Sequence, residues 1–309
     1  MIVHSGISSF KNISSPVITV GTFDGVHVGH QKILNKIRTI ANNNNGETAL
    51  LTFDPHPRKV LFNSSNSLKL INTLDEKINL LSNYGLDHLI IHPFNKDFSR
   101  ITPTSYVRDL LVNQLNVATL VIGYNHQFGR NREGDITLLH ELSEVYNFNV
   151  QEINAEEINE IKVSSTKIRE ALSMGDILQA NNYLGHDFTL SGEVIEGNKI
   201  GRSIGFPTAN ISIKDEEKII PANGVYAVKV KLNDQCFNGM MNIGNRPTIE
   251  ETNKSSIEVH IFDFSDNIYG LEIEIVFKAH IRKEEKFSDI DTLKKQLIND
   301  QKAALDLLL

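Results

Sequence analysis

The segment GTFDGVHVGH at residues 21–30 carries the strongest chemical signal in the sequence, with His27 and His30 on either side of Gly29. It lies between an apolar run and a segment with helical spacing. A helix N-terminus at the end of a parallel strand offers free N–H groups to phosphate, and glycine lets the backbone approach closely. Two imidazoles there can donate hydrogen bonds to the charge that develops during phosphate transfer. The spacing therefore favours a phosphate site over a pair of ordinary turn histidines, with these candidates: Gly21, Gly25, His27, Gly29 and His30.

Three further segments carry polar side chains that could reach the same site. They are FDPHP at 53–57, GYNHQFGRNREGD at 123–135 and VSSTKIR at 163–169. Taken singly, they fit a stiff turn, a solvated loop and a helix cap. Because each follows a predicted strand or opens a helix at the same sheet edge, we expect them to bind the ligand together. The candidates are His56, Asn125, Ser164, Ser165, Thr166 and Arg169.

A different phosphate signal occurs at GNKIGRSIGFPTANI, residues 197–211, where glycine recurs every fourth residue before Pro207-Thr208-Ala209-Asn210. The glycines alone fit a flexible hairpin, but such a loop can also wrap phosphate through backbone N–H groups. Thr208 and Asn210 supply neutral oxygens that suit Mg²⁺. The segment is not a Walker loop, because G-x-x-x-x-G-K-[ST] is absent from the sequence. The candidates are Gly201, Gly205, Thr208 and Asn210.

Glu258 lies in an alternating strand pattern, SIEVHIFDF, and shares a face with His260 and Phe262. An exposed strand glutamate is the plainest interpretation of that position.

The first half of the chain must position its candidates through alternating strands and helices. The apolar runs lie at 16–23, 48–53, 88–94, 118–123 and 148–153, and the helical segments between them include 30–41, 74–85 and 102–115. Strands that alternate with helices of this length predict a doubly wound parallel sheet, an α/β fold.

The second half changes character after about residue 186. Strand patterns now follow one another, separated by turn residues, which predicts an antiparallel sheet or small barrel. The final segment from Asp289 has helical spacing. We place the boundary after the helix predicted at 164–184, which gives domains at 1–185 and 186–309.

Composition narrows the classes of partner. The 309 residues suggest two domains, and 31 basic against 38 acidic residues give a net charge of −7. Both halves are mildly acidic, which argues against a nucleic-acid footprint. The lone cysteine, Cys236, excludes an intrachain disulfide. With no signal peptide and no apolar run of membrane-spanning length, we expect a cytoplasmic protein with no membrane partner.

These motifs, in this order, resemble the bacterial bifunctional riboflavin kinase/FAD synthetase family over about residues 14–305. The first half resembles its FMN adenylyltransferase module, a Rossmann-like nucleotidyltransferase of the H-x-G-H group. The second half resembles the riboflavin kinase fold, a small six-stranded barrel. The resemblance implies two steps: ATP phosphorylates riboflavin to FMN in the C-terminal domain, and the N-terminal domain then adenylylates FMN to FAD and releases pyrophosphate.

The resemblance also implies residue roles. His27 and His30 contact ATP phosphates, Thr208 and Asn210 bind Mg²⁺ and ATP, and Glu258 is the general base for the ribityl hydroxyl. Many family members carry Asp where Asn125 stands. The implied flavin-binding residues are Phe62, Tyr106, Phe128, Arg282 and Phe287. ATP is a co-substrate, no tightly bound prosthetic group is implied, and the small-molecule partners are riboflavin, FMN and ATP. Monomer and weak homo-oligomer both stay open.

Two other hypotheses belong to different classes. One is another nucleotidyltransferase or a relative of class I aminoacyl-tRNA synthetases, since these share H-x-G-H; the acidic balance and the barrel motif count against it. The other is a flavin-binding regulatory protein without catalysis. Intact His27, Thr208 and Glu258 argue against that alternative, because a non-catalytic binder has no need of them.

Overall fold

The computed structural model describes residues 1–11, 13–62, 68–123, 126–153, 163–197, 200–245 and 255–309. The chain divides into two compact units, 1–164 and 165–309. Of the candidate residues, Asn125 lies outside the described ranges.

The first unit is built on a parallel sheet. Among its described residues the strands are β1 (Ile2–Ser5), β2 (Val17–Val20), β3 (Thr48–Asp54), β4 (His88–Pro93), β5 (Thr119–Gly123) and β6 (Asn149–Ile153), in the order β1-β4-β3-β2-β5-β6. All neighbouring pairs are parallel, as the sequence predicts. The chain runs outward from β2 to β3 and β4 and then crosses to β5, so the direction of winding switches between β2 and β5. Ligands bind at such a switch in open α/β sheets.

Helices cover both faces of this sheet. They are α1 (Val28–Asn43), α2 (Pro57–Leu61), α3 (Leu74–Ser82), α4 (Pro103–Ser105) and α5 (Ile136–Tyr146). Thr102 accepts from Ser105 N at 3.3 Å and Pro103 takes the first helical position, a favourable pair for starting a helix. The segment after α4 is a π-helix (Tyr106–Val112) instead of a continuous α-helix.

Alternation along the strands explains the two layers of core. Val17 and Leu50 pack in one cluster, whereas their neighbours Ile18 and Leu51 pack in another, and all four are fully buried. Successive side chains of a strand point to opposite faces, so a sheet with apolar residues at both positions must be covered on both sides.

The second unit is a closed antiparallel barrel preceded by two helices and followed by one. Its described elements are α6 (Ser165–Met174), α7 (Ile177–Leu184), β7 (Thr189–Ile195), α8 (Ile200–Ser203), β8 (Ala209–Ser212), β9 (Gly224–Leu232), β10 (Gln235–Asn245), β11 (Ser255–Ile261), β12 (Glu272–Arg282) and α9 (Ile290–Leu308). The barrel order is β10-β11-β8-β7-β12-β9. The prediction of a small antiparallel barrel with a terminal helix is confirmed.

The compact units divide at 164/165, whereas the predicted domain boundary is 185/186. The reason is that α6 and α7 are hydrogen-bonded to the barrel side of the chain. Asn181 Nδ2 donates to the Phe277 carbonyl at 2.9 Å, and Ala222 N donates to the Leu172 carbonyl at 3.0 Å. Assignment of α6 and α7 to the first functional domain stays a prediction.

Within the described ranges, every helix is too short or too polar to cross a lipid bilayer.

Two candidate active sites

The two histidines of the H-x-G-H segment lie where the turn after β2 enters α1, with His30 in the first turn of the helix. His27 is the N-cap of α1, and its Nδ1 accepts a hydrogen bond from the His30 backbone N–H at 3.3 Å. Because Nδ1 acts as acceptor, the neutral His27 ring carries its proton on Nε2. The N-terminus of α1, a 16-residue helix, lies at the sheet's switch point and favours an anion.

The imidazole rings of this turn are stacked. The centroids of His27 and His30 lie 3.6 Å apart at an interplanar angle of 14°, and Phe23 stacks on His30 at 4.4 Å. A Cβ at Gly29 would lie 3.2 Å from the His27 ring, so glycine leaves the room that this packing needs. Phe23 and Val26 hold left-handed φ values of 48° and 40°. Such strain is characteristic of functional turns.

Electrostatics keep His30 neutral. Burial is the largest cause, followed by the charges of His27 and Lys77, and together they hold the pKa of His30 well below its usual 6.5. No described residue forms a hydrogen bond with the buried Nδ1 of His30. The neutral His30 ring therefore has a nitrogen, Nδ1, that could form a hydrogen bond with a polar ligand.

A buried lysine, Lys77, is hydrogen-bonded to the start of this turn and to the neighbouring strand β3. Lys77 Nζ donates to the Thr22 carbonyl at 3.3 Å and to Thr52 Oγ1 at 3.4 Å. Burial lowers the pKa of Lys77, while the charges of Asp24 and Asp54 oppose that shift. This arrangement ties the ends of β2 and β3 to α3. Sequence reasoning missed it, because a lysine in an amphipathic helix is usually solvated.

The other phosphate candidates of the first half lie on three parts of the chain: the β2–α1 turn, the end of β3 and the start of α6. His56 follows β3 and is the N-cap of α2, its Nδ1 accepting from Arg58 N at 3.2 Å. Gly21 and Gly25 lie in the β2–α1 turn. Ser164 ends the first compact unit, while Ser165, Thr166 and Arg169 lie in α6 of the second.

The aromatic candidates of the first unit differ in exposure. Phe62 is 64% exposed just after α2, whereas Tyr106 and Phe128 are 6% and 5% exposed. The rings of Tyr106 and Phe128 lie 5.3 Å apart within the apolar core, and burial raises the pKa of Tyr106. Flavin stacking by these rings stays a prediction.

The second site is assembled across barrel strands. Asn210 of β8 pairs with Glu258 of β11, and Thr208 Oγ1 donates to Glu258 Oε2 at 3.2 Å. Asn210 is buried, and a Cβ at Gly197 would overlap its side chain. Glycine at 197 therefore lets the backbone at this residue lie directly against Asn210. A hydroxyl and a carboxylate oxygen are thus hydrogen-bonded, with an amide on the paired strand, and these are donor types that fit Mg²⁺.

Two cavities meet at Thr208. One, of about 320 Å³, is mostly apolar around Phe206, Met240, Phe287 and Leu297, with Glu258 in its wall. The other, of about 470 Å³, is lined by Arg202, Pro207 and residues 264–269. Residues 264–269 follow β11, and sequence reasoning did not single them out as part of a site.

Arg282 and Phe287 both line the smaller cavity. The Arg282 guanidinium donates to both carboxylate oxygens of Asp300, at 2.8 and 2.7 Å, and lies 5.6 Å from the centroid of the Phe287 ring. Asp300 is 1% exposed and lies in α9. Arg282 is therefore fixed by the terminal helix, an arrangement that spacing in the sequence could not show.

The glycine-rich segment is partly helical. Gly201 lies in α8 and lines the smaller cavity, while Gly205 follows with a left-handed φ of 89°. The Gly201 carbonyl accepts from Phe206 N at 2.8 Å, which closes this turn ahead of Pro207.

Comparison with known proteins assigns each half of the chain to a protein family. A family model described as FAD synthetase matches residues 10–167, and one described as riboflavin kinase matches residues 184–308. A Buchnera aphidicola bifunctional riboflavin kinase/FMN adenylyltransferase is 41% identical over 300 residues, covering 96% of this chain and 95% of its own. The Escherichia coli K12 protein of the same description is 35% identical over 289 residues, covering 93% and 91%.

The chain belongs to the bifunctional riboflavin kinase/FMN adenylyltransferase family. It phosphorylates riboflavin to FMN and adenylylates FMN to FAD, with the kinase in the C-terminal half and the adenylyltransferase in the N-terminal half. ATP is the co-substrate.

A solved structure supports the fold over nearly the whole chain. A Streptococcus pneumoniae protein described as a macrolide-efflux protein superposes with a TM-score of 0.89 at 28% identity, covering 98% of both chains. That description applies to the other protein, while the two family models and the relatives assign this one.

Proposed function

We propose that riboflavin occupies the 320 Å³ cavity of the barrel and ATP the 470 Å³ cavity, with the phosphoryl group passing at Thr208. The apolar wall of Phe206, Met240 and Phe287 suits an isoalloxazine ring. Thr208 borders both cavities, and that single observation supports the assignment, because transfer needs the two substrates to meet.

Glu258 would act as the general base of the kinase. Its carboxylate takes the proton of the ribityl hydroxyl, whose oxygen then bonds to the γ-phosphorus of ATP while the bond to the leaving ADP oxygen breaks. The hydrogen bond from Thr208 fixes the orientation of this carboxylate within the cavity wall.

The oxygens of Thr208 and Asn210 would hold Mg²⁺. When bound, the ion would neutralise charge on the ATP phosphates. The chain contributes the position of the Asn210 side chain, which packs against the backbone at Gly197 because that residue has no side chain.

In the first unit, His27 and His30 would bind the phosphates of ATP during adenylyl transfer. A phosphate oxygen of FMN attacks the α-phosphorus, and pyrophosphate leaves with the electrons of the broken bond. His27 donates from Nε2, and neutral His30 stacks behind it, so hydrogen bonds meet the developing charge.

The remaining assignments rest on their match to the family's motifs. They are Gly21, Gly25, Gly29, His56, Asn125, Ser164, Ser165, Thr166 and Arg169 for ATP in the first activity, Gly201 and Gly205 for ATP in the second, and Phe62, Tyr106, Phe128, Arg282 and Phe287 for flavin. Arg282 and Phe287 have the added support of lining the smaller cavity. A cytoplasmic location, where Cys236 stays a thiol, is part of the same proposal.

The decisive variant for the kinase assignment is E258Q, which keeps the shape of the side chain and removes the base. FMN formation from riboflavin should fall about 10²- to 10⁴-fold, the usual contribution of general base catalysis. FAD formation from supplied FMN should be unchanged, and chromatography of the flavins measures both. Kinase turnover at the wild-type rate would show that Glu258 is not the base.

A further inference from the structure

Strand β11 holds the loop that carries Thr208 at two points. Glu258 accepts from Thr208 Oγ1 at 3.2 Å, and two residues along the strand, His260 Nδ1 lies 2.7 Å from the Pro207 carbonyl oxygen. Residues two apart on a strand share a face. Two neighbouring loop residues, Pro207 and Thr208, are therefore each hydrogen-bonded to a side chain on the same face of β11.

The tautomer of His260 follows from this contact. A carbonyl oxygen can only accept, so Nδ1 of His260 must donate its proton. His260 is 9% exposed, and its ring makes edge-to-face contacts with Phe206 at 5.3 Å and Phe262 at 5.6 Å. These two aromatic neighbours restrict the orientation of the imidazole, and burial makes the loss of this hydrogen bond costly.

Pro207 makes the His260 contact important for the loop. Proline has no backbone N–H, so its carbonyl is the one polar backbone group that can be held at this residue. That carbonyl belongs to the peptide plane that leads directly into Thr208. Fixing the plane fixes where the Thr208 nitrogen and Cα lie, and the hydrogen bond to Glu258 then fixes the orientation of the hydroxyl.

We propose that His260 is a positioning residue for phosphoryl transfer, which holds the Pro207 carbonyl and thereby aims the Thr208 hydroxyl at Glu258. This inference rests on the roles proposed above for Thr208 and Glu258. Small misplacements of reacting groups slow enzymes strongly, so losing the His260 donor should lower kcat for FMN formation more than it changes riboflavin binding.

The matched variants are H260N and H260L. Asparagine and leucine have nearly the same shape, but asparagine places an amide N–H near the position of Nδ1, and leucine places a methyl group there. H260Q is the third variant, because its longer amide reaches towards the Nε2 position instead. We expect kcat for FMN formation to fall about 10- to 100-fold in H260L and H260Q, and H260N to recover to within about threefold of wild type.

A double variant tests whether the effect of His260 on kcat is transmitted through Thr208. In T208A, the Pro207 carbonyl no longer aims a hydroxyl, so adding H260L should cost far less than it does in the wild-type background. Full additivity of the two losses would overturn the proposal. So would an H260L variant with wild-type kcat, or an H260N variant as slow as H260L.

Two controls make these outcomes interpretable. FAD formation from supplied FMN reports the intact first unit in every sample. Because His260 itself lines the cavity proposed for riboflavin, cooperative denaturant unfolding reports a folded barrel; if H260L fails that check, H260Q takes its place. E258Q measured alongside tests the proposed base separately. A wild-type rate in E258Q would refute the base, whereas the His260 comparison refutes or supports positioning.

Discussion

The two sites of this chain are built in opposite ways. In the first unit, a ten-residue segment at 21–30, a turn and the start of α1, brings His27 and His30 together by local geometry, and their rings stack at 3.6 Å. In the barrel, Thr208 and Glu258 are 50 residues apart and meet through the β8–β11 register. A site whose residues are close in the chain can be predicted from their spacing. A site whose residues meet through strand pairing cannot, because the sequence indicates the residues but not the contact between them.

Among the variants that test this comparison of the two sites, we expect the largest loss of activity in the double variant H27A/H30A. FAD formation from FMN should fall about 10²- to 10³-fold or more, the cost of removing even one donor to developing charge. FMN formation from riboflavin should be retained, since the barrel contains its own donors. Coupled chromatography of both half-reactions measures this, and an unchanged rate of FAD formation would refute the role of the turn.

The next effect is on the stability of the barrel. D300A leaves the Arg282 guanidinium, which is 17% exposed, without its carboxylate. Breaking a buried pair costs about 3–5 kcal/mol, so we expect a free energy of unfolding lower by about 3 kcal/mol and a weakened affinity for riboflavin.

A surface pair supplies the control for D300A. Lys231 and Glu274 bond at 2.6 Å with side chains 54% and 37% exposed. E274Q should change the free energy of unfolding by less than about 1 kcal/mol, because solvent screens exposed pairs. Denaturant unfolding of both variants decides the point, and equal losses would show that Arg282 is not held by Asp300.

The smallest expected effect concerns pH in the first unit. Burial, helped by the charge of Arg132, lowers the pKa of His126 to about 4. The unfolded state therefore binds a proton that the folded state does not between about pH 6.5 and 4, so stability falls as the pH falls through this window.

The matched variant for this pH dependence is H126N, which cannot titrate. Its unfolding free energy should vary less between pH 6.5 and 4 than that of the wild type, by about 1–3 kcal/mol. Thermal or denaturant unfolding at both pH values measures the difference. Identical pH profiles for the two proteins would contradict the assignment of this shift to His126.

How far the sequence predicts this structure depends on the range of each interaction. The strands from β2 to β6 and helix α1 follow from local periodicity, and the barrel follows from successive alternating strands. Strand β1 (Ile2–Ser5) was missed because its residues are partly exposed at a sheet edge, and β8 (Ala209–Ser212) because four residues give too short a pattern.

The missed site residues share one cause. Lys77, His260 and Asp300 act through partners 18 to 55 residues away in the chain, which no spacing rule relates. Alternation did place His260 on the face of Glu258, so that signal existed. What it could not supply was the Pro207 carbonyl on the other side of the contact.

The measurement that tests the central claim most directly is complementation between E258Q and H27A/H30A. Each variant is supplied with riboflavin, ATP and Mg²⁺, alone and mixed, with a parallel sample that receives FMN. We predict that E258Q makes FAD only from FMN, that H27A/H30A accumulates FMN from riboflavin, and that the mixture makes FAD from riboflavin. If either variant retains both half-reactions, or loses both while still folded, the assignment of one activity to each site is contradicted.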